Sequence, residues 1–320
     1  MKVGVFTALF AKQPFEEALD FICECGLEAV EIGTGNYPGS PHCDVDALLA
    51  SAAKRKQFLG AIEKRGLILS GLSCHGNPLH PDKKMASSHH EIHRKTVDLA
   101  PKLGVEVVIN FSGCPGDSER AKYPNWATCA WPPDYQEILK WQWEEKVIPY
   151  WKEEARYAKR HAVKLAFEMH PGFVVYNTET MLKLRKACGE NIGANFDPSH
   201  LFWQGIDPVQ AIRCLGDAIF HFHAKDTRLE PANVALNGVL DVKPYTDEFN
   251  RSWVFRTVGY GHGESVWRDI ISALRLVNYD YVLSIEHEDS LMSVNEGFKK
   301  AVELLKNLVI SEPRPKVWWA

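Results

Sequence analysis

Eight short apolar runs, each followed by a longer stretch with helical spacing, constrain this chain more than any other feature. The runs are "VGVFTAL" (3–9), "AVEIGTG" (29–35), "LILSGLSCHG" (67–76), "VEVVINFSG" (105–113), "LAFEMHP" (165–171), "IGANFDPSH" (192–200), "IFHFHAKD" (219–226) and "YVLSIEHED" (281–289). Between them lie "FEEALDFICECG", "VIPYWKEEARYAKRHA", "TETMLKLRKACG", "DPVQAIRCLG", "SVWRDIISALRLV" and "NEGFKKAVELLKNL", with apolar residues recurring at three and four and Gly near several ends. A strand followed by a helix returns to a parallel neighbour through a right-handed crossover, and eight such units close a (β/α)8 TIM barrel. A doubly wound open sheet is the competitor, but no GxGxxG follows the first strand, which weakens its dinucleotide-binding version. The length of 320 residues suits one α/β barrel, so 1–320 is expected to be a single domain.

Two connections are too long for ordinary loops: 114–133 and 227–262. They follow strands four and seven, so in a barrel both rise over the C-terminal face, where active sites are built. They are expected to roof a pocket, with Trp126, Trp131, Trp253 and Tyr260 available to stack on sugar faces or to anchor the loops. The tail, 311–320, carries Trp318 and Trp319, which are expected to pack on the barrel or on a neighbouring subunit.

Composition narrows the function classes. At 45% hydrophobic residues the chain affords a large core and needs neither disulfide nor metal merely to fold. A formal net charge of -4 without a long Lys/Arg block argues against nucleic acid as a partner. No apolar run approaches 18 residues and the N-terminus lacks a signal-peptide cleavage site, so no membrane partner and a cytoplasmic location are expected. The eight cysteines contain no CxxC pair and are expected to be reduced thiols.

The chemistry gathers at the ends of the last four strands. Glu168 ends strand five, Asp197 strand six, His223 lies near the end of strand seven and Glu286 near that of strand eight. Parallel neighbouring strands put these ends on one rim, where three unpaired carboxylates would raise one another's pKa values. One divalent cation resolves that conflict. Three oxygen donors and one imidazole, with no thiolate, suit Mn²⁺ or Mg²⁺ best, then Co²⁺ or Zn²⁺. Carboxylates and ion together leave one negative charge, which favours a neutral polyol or keto-sugar over a polyanion. "HHEIH" at 89–93 is not HExxH, and His89 with His93 is expected on a solvated helix face.

"FEMHP", "NFDPSHL", "HFHAKD" and "SIEHED" resemble the xylose isomerase-like TIM-barrel superfamily, and within it the sugar phosphate isomerase/epimerase group. The resemblance spans nearly the whole barrel and implies metal binding by Glu168, Asp197, His223 and Glu286, with His200 holding a substrate or water oxygen nearby. It implies that Glu168 and Glu286 are proton carriers as well as ligands, and a homodimer or tetramer. His170, two residues beyond Glu168, is the candidate extra base; Lys225, two beyond His223, is placed to hold a substrate oxygen. Asp226 reads as a helix cap or a partner of Lys225. His75, Asn110, Trp126 and Arg228 complete the candidate substrate contacts. The chain departs from the ketose epimerases of that group at Val174 and Leu229, where they carry Glu and Arg.

The resulting expectation is a divalent-metal-dependent isomerase or epimerase acting on a small carbohydrate, a keto-sugar or related polyol, through an enediolate. The alternatives are a lyase of the same fold, resembling an inosose dehydratase or a subunit that cleaves keto-glycosides and C-glycosides. From another class come a non-catalytic sugar-binding barrel and one subunit of a hetero-oligomer.

Overall fold

A computed structural model describes residues 1–319. All eight apolar runs form strands, and these close into one parallel barrel. In chain order its staves are β1 (Lys2–Phe6), β2 (Ala29–Gly33), β3 (Ile68–Ser73), β4 (Val107–Asn110), β5 (Lys164–Glu168), β6 (Ile192–Phe196) and β7 (Ile219–Ala224). Two short strands, β8 (Asp226–Leu229) and β9 (Trp253–Arg256), then pair antiparallel outside the barrel, and β10 (Val282–Ile285) is the last stave. Closure is made by β1, which pairs with β2 on one side and β10 on the other.

The apolar core is chiefly the annulus between strands and helices, because each strand turns alternate residues outward. Phe167 on β5 meets the edge of Trp151, from the helix Ile148–Arg160, with ring centroids 4.5 Å apart. Both side chains are fully buried, and the Trp151 Nε1–H donates to Ser112 O at 2.8 Å. Truncating Trp151 to Ala would cost about 3–5 kcal/mol. Gly193 on β6 is dictated by close approach: a Cβ there would lie 2.3 Å from Ala218 O and 2.5 Å from the Phe220 ring.

The helices Ala52–Glu63 and Lys83–Leu99 were not legible from spacing. The first buries only Phe58, Ala61 and Ile62. The second turns His93 and Thr96 inward beside Val97 and Leu99, so its buried face is half polar. His93 is therefore not solvated as expected: its Nδ1–H donates to Asn110 Oδ1 at 2.9 Å, and its Nε2 lies 3.3 Å from Glu154. Trp318 and Trp319 do not take the first of their two expected places, on the barrel: they are 86% and 69% exposed and in contact with each other. No helix among the described residues is long and apolar enough to cross a membrane.

Candidate active site

Strand alternation continues along the inner wall. His221, His223 and Lys225 follow one another at two-residue spacing, as do Ser284, Glu286 and Glu288, and Glu168 and His170. Each series climbs from the barrel interior to its C-terminal rim. Ligand atoms of Glu168, Asp197, His223 and Glu286 converge there within 4.8 Å of one another.

These four side chains are only partly served by the protein. Asp197 Oδ2, Glu286 Oε2 and His223 Nδ1 are buried and make no aligned hydrogen bond, although the Lys225 ammonium lies 2.9 Å from Glu286 Oε2 and 3.4 Å from Asp197 Oδ2. His223 Nδ1 lies 3.1 Å from Glu168 Oε2 and 3.3 Å from Glu286 Oε2, yet is aligned with neither, so it faces the gap between them. Glu168 is better held. It accepts from His200 Nε2 (3.1 Å), His75 Nε2 (3.0 Å) and Asn195 Nδ2 (3.2 Å).

Burial raises the Asp197 carboxyl, and neighbouring Glu168 and Glu286 raise it further against the opposing Lys225 and His200. Burial pushes Glu168 and Glu286 up too, but the histidines around Glu168, and Lys225 with His223 at Glu286, hold both below the usual range. The Lys225 ammonium lies 2.9 Å from Glu286, 3.0 Å from Glu288 and 3.4 Å from Asp197. Those carboxylates overcome its burial and keep it charged. Four carboxylates, Glu168, Asp197, Glu286 and Glu288, against the one ammonium leave three negative charges, which a divalent ion would reduce to one, the balance the ligand set alone implied.

Beneath the rim lies a residue that the sequence reading missed. Glu31, in the middle of β2, is fully buried and receives the His223 Nε2–H at 3.0 and 3.1 Å, with hydroxyls from Ser73 and from Ser284 (2.7 Å). Burial raises its carboxyl, but the His223 and His221 imidazoles and Ser73 bring it down to about 2. Its hydrogen bond fixes the His223 ring so that Nδ1 points at the rim, the arrangement that orients and strengthens an imidazole ligand. A glutamate in "AVEIG" was the available signal, since a carboxylate inside an apolar strand is too costly to bury unpaired.

The extra base candidate, His170, is half-buried, its ring centroid 4.1 Å from that of His200. Its Nδ1–H donates to Pro171 O at 2.6 Å, which leaves Nε2 as the lone-pair nitrogen. Burial first, then His200 and Lys225, lowers His170 to about 3 against the pull of Glu168, so the ring is neutral.

Asn110 is buried but turned away from the rim, bonding His93 and Cys74 behind β4, so it is not positioned as a substrate contact. Arg228 projects outward and pairs with Glu230 at 3.4 Å, because alternation on β8 puts it on the face opposite Thr227. Trp126 reaches the roof, packing against the buried cluster of Trp203, Trp253 and Phe255. Trp253 stacks on Trp203 with centroids 4.7 Å apart, so it anchors the roof, whereas Trp131 is exposed. Tyr260 is also exposed and accepts from Lys300.

The 227–262 segment is a structured lid. Its strand β9 brings Phe255 against His200, with centroids 5.6 Å apart, and under the Lys225 ammonium, 4.7 Å from the ring. Asp226 is neither a helix cap nor a partner of Lys225. Fully buried at the start of the lid, it accepts from Thr227 N, Gly259 N, Gly261 N, His262 N, His262 Nδ1 and Trp267 Nε1, at 2.8–3.2 Å. Gly261 permits that approach, since a Cβ would lie 2.6 Å from Asp226 Oδ1.

Similar proteins share this architecture. The family model described as xylose isomerase-like TIM barrel matches residues 19–308. Uncharacterized protein YfiH of Bacillus subtilis (strain 168) is 42% identical over 312 residues, 97% of this chain and 99% of that one. An inosose dehydratase of Clostridium perfringens is 35% identical over 74 residues, 23% of this chain and 25% of its own. Among solved structures, the IOLI protein with a binding zinc atom has a TM-score of 0.64 at 17% identity, covering 97% of this chain and 98% of that one. A D-tagatose 3-epimerase-like protein has a TM-score of 0.62 at 19% identity, covering 96% and 98%. At such identities the two structures speak for the fold alone. On the match over residues 19–308 and the closed eight-stave barrel, this chain belongs to the xylose isomerase-like TIM-barrel family.

Proposed function

We propose that the chain is a divalent-metal-dependent isomerase or epimerase of a small neutral carbohydrate, a keto-sugar or related polyol. The observation that carries this reading is the convergence at the rim of three carboxylates, Glu168, Asp197 and Glu286, with the unbonded His223 Nδ1, beside the single ammonium of Lys225. A hard or borderline ion fits those donors, and Mn²⁺ or Mg²⁺ is the first choice. When bound, such an ion supplies a Lewis acid that polarises a carbonyl and steadies the charge left as a neighbouring C–H proton departs.

The chain's own residues supply the proton chemistry. His170 Nε2 accepts the carbon-bound proton; negative charge developing on the substrate lifts its basicity from the low value of the resting site. Lys225 Nζ donates to a substrate oxygen in place of one of its carboxylate contacts, while the His200 Nε2–H stays on Glu168 and holds it in position. Phe255 and the stacked Trp203 and Trp253 keep water from the lid side. Every nearby cation is engaged: Lys225 by Glu286 and Glu288, Arg256 by Glu248 and Asp289. A phosphorylated substrate therefore finds no spare positive charge.

A second reading, loss of a β-hydroxyl after the same proton abstraction, is favoured by the 74-residue stretch shared with an inosose dehydratase. Proton NMR in D₂O with Mg²⁺-loaded protein tests both, with ketoses, inososes and 3-keto-glucosides as substrates. Exchange beside the carbonyl is expected, and the product separates isomer or epimer from dehydrated sugar. No exchange on any of the three classes, with metal bound, would overturn the enediolate reading.

A further inference from the structure

The outer face of the lid inverts the usual order of burial. From 231 to 250 every exposed residue is uncharged, while the four charged ones are turned inward and engaged. Asp241 pairs with Lys243 at 3.0 Å and accepts the Ser252 N–H at 2.6 Å, Glu248 lies 3.5 Å from Arg256, and Asp247 accepts from Asn250 Nδ2 at 2.8 Å. Leu236, Leu240, Val242, Tyr245 and Phe249 point outward instead, 56% to 97% exposed.

Internal bonds hold this arrangement. Asn233 Nδ2, on the short helix Pro231–Asn237, donates to Phe249 O (3.0 Å) and Arg251 O (2.9 Å), and Trp253 Nε1 donates to Val239 O (3.0 Å). Leu236 follows Asn233 by one turn and so stands on the Phe249 side of that helix. The five side chains expose on the order of several hundred Å², the size of the largest apolar patch on a typical monomer, about 300–600 Å². With the exposed prolines and alanines beside them, the face approaches the roughly 800 Å² that each partner gives to a stable interface.

A second copy of the chain is the occupant this face fits. A two-fold axis lays a surface against itself, so a charged face would meet its own sign, whereas an uncharged apolar one meets no such penalty. At its margin the paired Arg228 and Glu230 carry both signs, which suits a polar rim. A lipid surface fits less well, because the exposed residues of the segment offer no Lys or Arg to anionic headgroups. The chain's own tail leaves from the opposite, N-terminal face of the barrel, where Ile310 O accepts from the Met1 ammonium at 2.8 Å.

We infer that the outer face of the lid, residues 231–250, is the interface of a two-fold dimer of this chain. Tyr245 carries the contact inward: it stacks on Phe255 with centroids 5.5 Å apart, and Phe255 lies against His200 and Lys225. The second copy thereby braces the lid over the rim, whatever reaction the rim performs.

Sedimentation equilibrium on the full chain tests this without reliance on turnover, and the wild type is expected at twice the chain mass. Leu236→Glu and Phe249→Glu, which set a charge on the face, should each weaken dimerisation about 100-fold, the scale of a lost interface hot spot. Trp318→Glu, at a comparably exposed apolar side chain in the tail, should leave it unchanged, with circular dichroism confirming that each variant folds. Hydrogen exchange should show residues 231–255 protected in the wild type and about tenfold less so in Phe249→Glu. A monomeric wild type, or a dimer that survives both lid substitutions, would overturn the interface; so would a dimer lost through Trp318→Glu alone. Equal exchange in wild type and Phe249→Glu would overturn the bracing of the lid.

Discussion

Asp197 and Asp226 are both fully buried aspartates at the C-terminal ends of neighbouring staves, yet the molecule treats them oppositely. Asp226 is saturated with donors from both ends of the lid and the helix that follows it. Asp197 accepts one backbone N–H, from Ser199 at 2.8 Å, and its Oδ2 makes no hydrogen bond beside two other carboxylates, with only the Lys225 ammonium and His200 Nε2 near it, each at 3.4 Å. A buried carboxylate that the fold satisfies is structural, whereas one left open among like charges is held for a ligand. Residue type and position in the sequence do not separate the two; the count of donors does.

The strongest way to break this contrast is to remove a rim donor. Glu168→Gln or His223→Ala should lower Mn²⁺ affinity more than 100-fold and abolish turnover while the fold stays intact. Isothermal titration with circular dichroism checks both arms. Unchanged affinity would return these residues to a structural role.

Asp226→Asn asks the opposite question. An amide presents its own N–H₂ to some of those donors, and stability should fall by about 3 kcal/mol, the scale of losing charge-assisted hydrogen bonds. Urea unfolding measures that loss. Metal affinity should change less than about threefold, because Asp226 touches no rim ligand. A large loss of metal with little loss of stability would reverse the assignment of the two aspartates.

Glu31→Gln sharpens the comparison by leaving the rim intact and loosening the imidazole behind it. Metal affinity should fall about 10–100-fold, the usual cost of removing a carboxylate that orients a histidine ligand. An effect confined to stability would mean that Glu31 only balances His223 in the interior.

The smallest expected effect lies outside the barrel. Burial raises Glu154, but the His93 imidazole and the Arg94 guanidinium, 2.6 Å away, bring its carboxyl below the ordinary value. Its contribution is complete above the unfolded value of about 4.3 and is lost as pH falls through the folded one. Glu154→Gln should therefore cost about 1–2 kcal/mol at neutral pH and flatten the stability curve below pH ~4. Urea titrations across that range check the sign.

The staves and the four rim donors were legible because both follow from strand physics. A stave buried on both faces is a run of apolar residues, and polar groups closing such runs on adjacent parallel strands must meet. Asn110 and Arg228 were misplaced because sequence gives a residue's height along a strand but not its face near a strand end. Asn110 turned outward to His93, and Arg228 turned outward on a ribbon whose existence spacing did not show. Glu31 hid in an apolar pentapeptide, and Asp226 required knowing that residues 259–262 return to the start of the lid.

Pulsed EPR on the Mn²⁺-loaded protein tests the central claim most directly. One ion per chain, showing coupling to a single imidazole nitrogen that disappears in His223→Ala, is the predicted result. Full occupancy with an unaltered nitrogen signal in His223→Ala would contradict it, since the ion would then sit elsewhere than between Glu168, Asp197, His223 and Glu286.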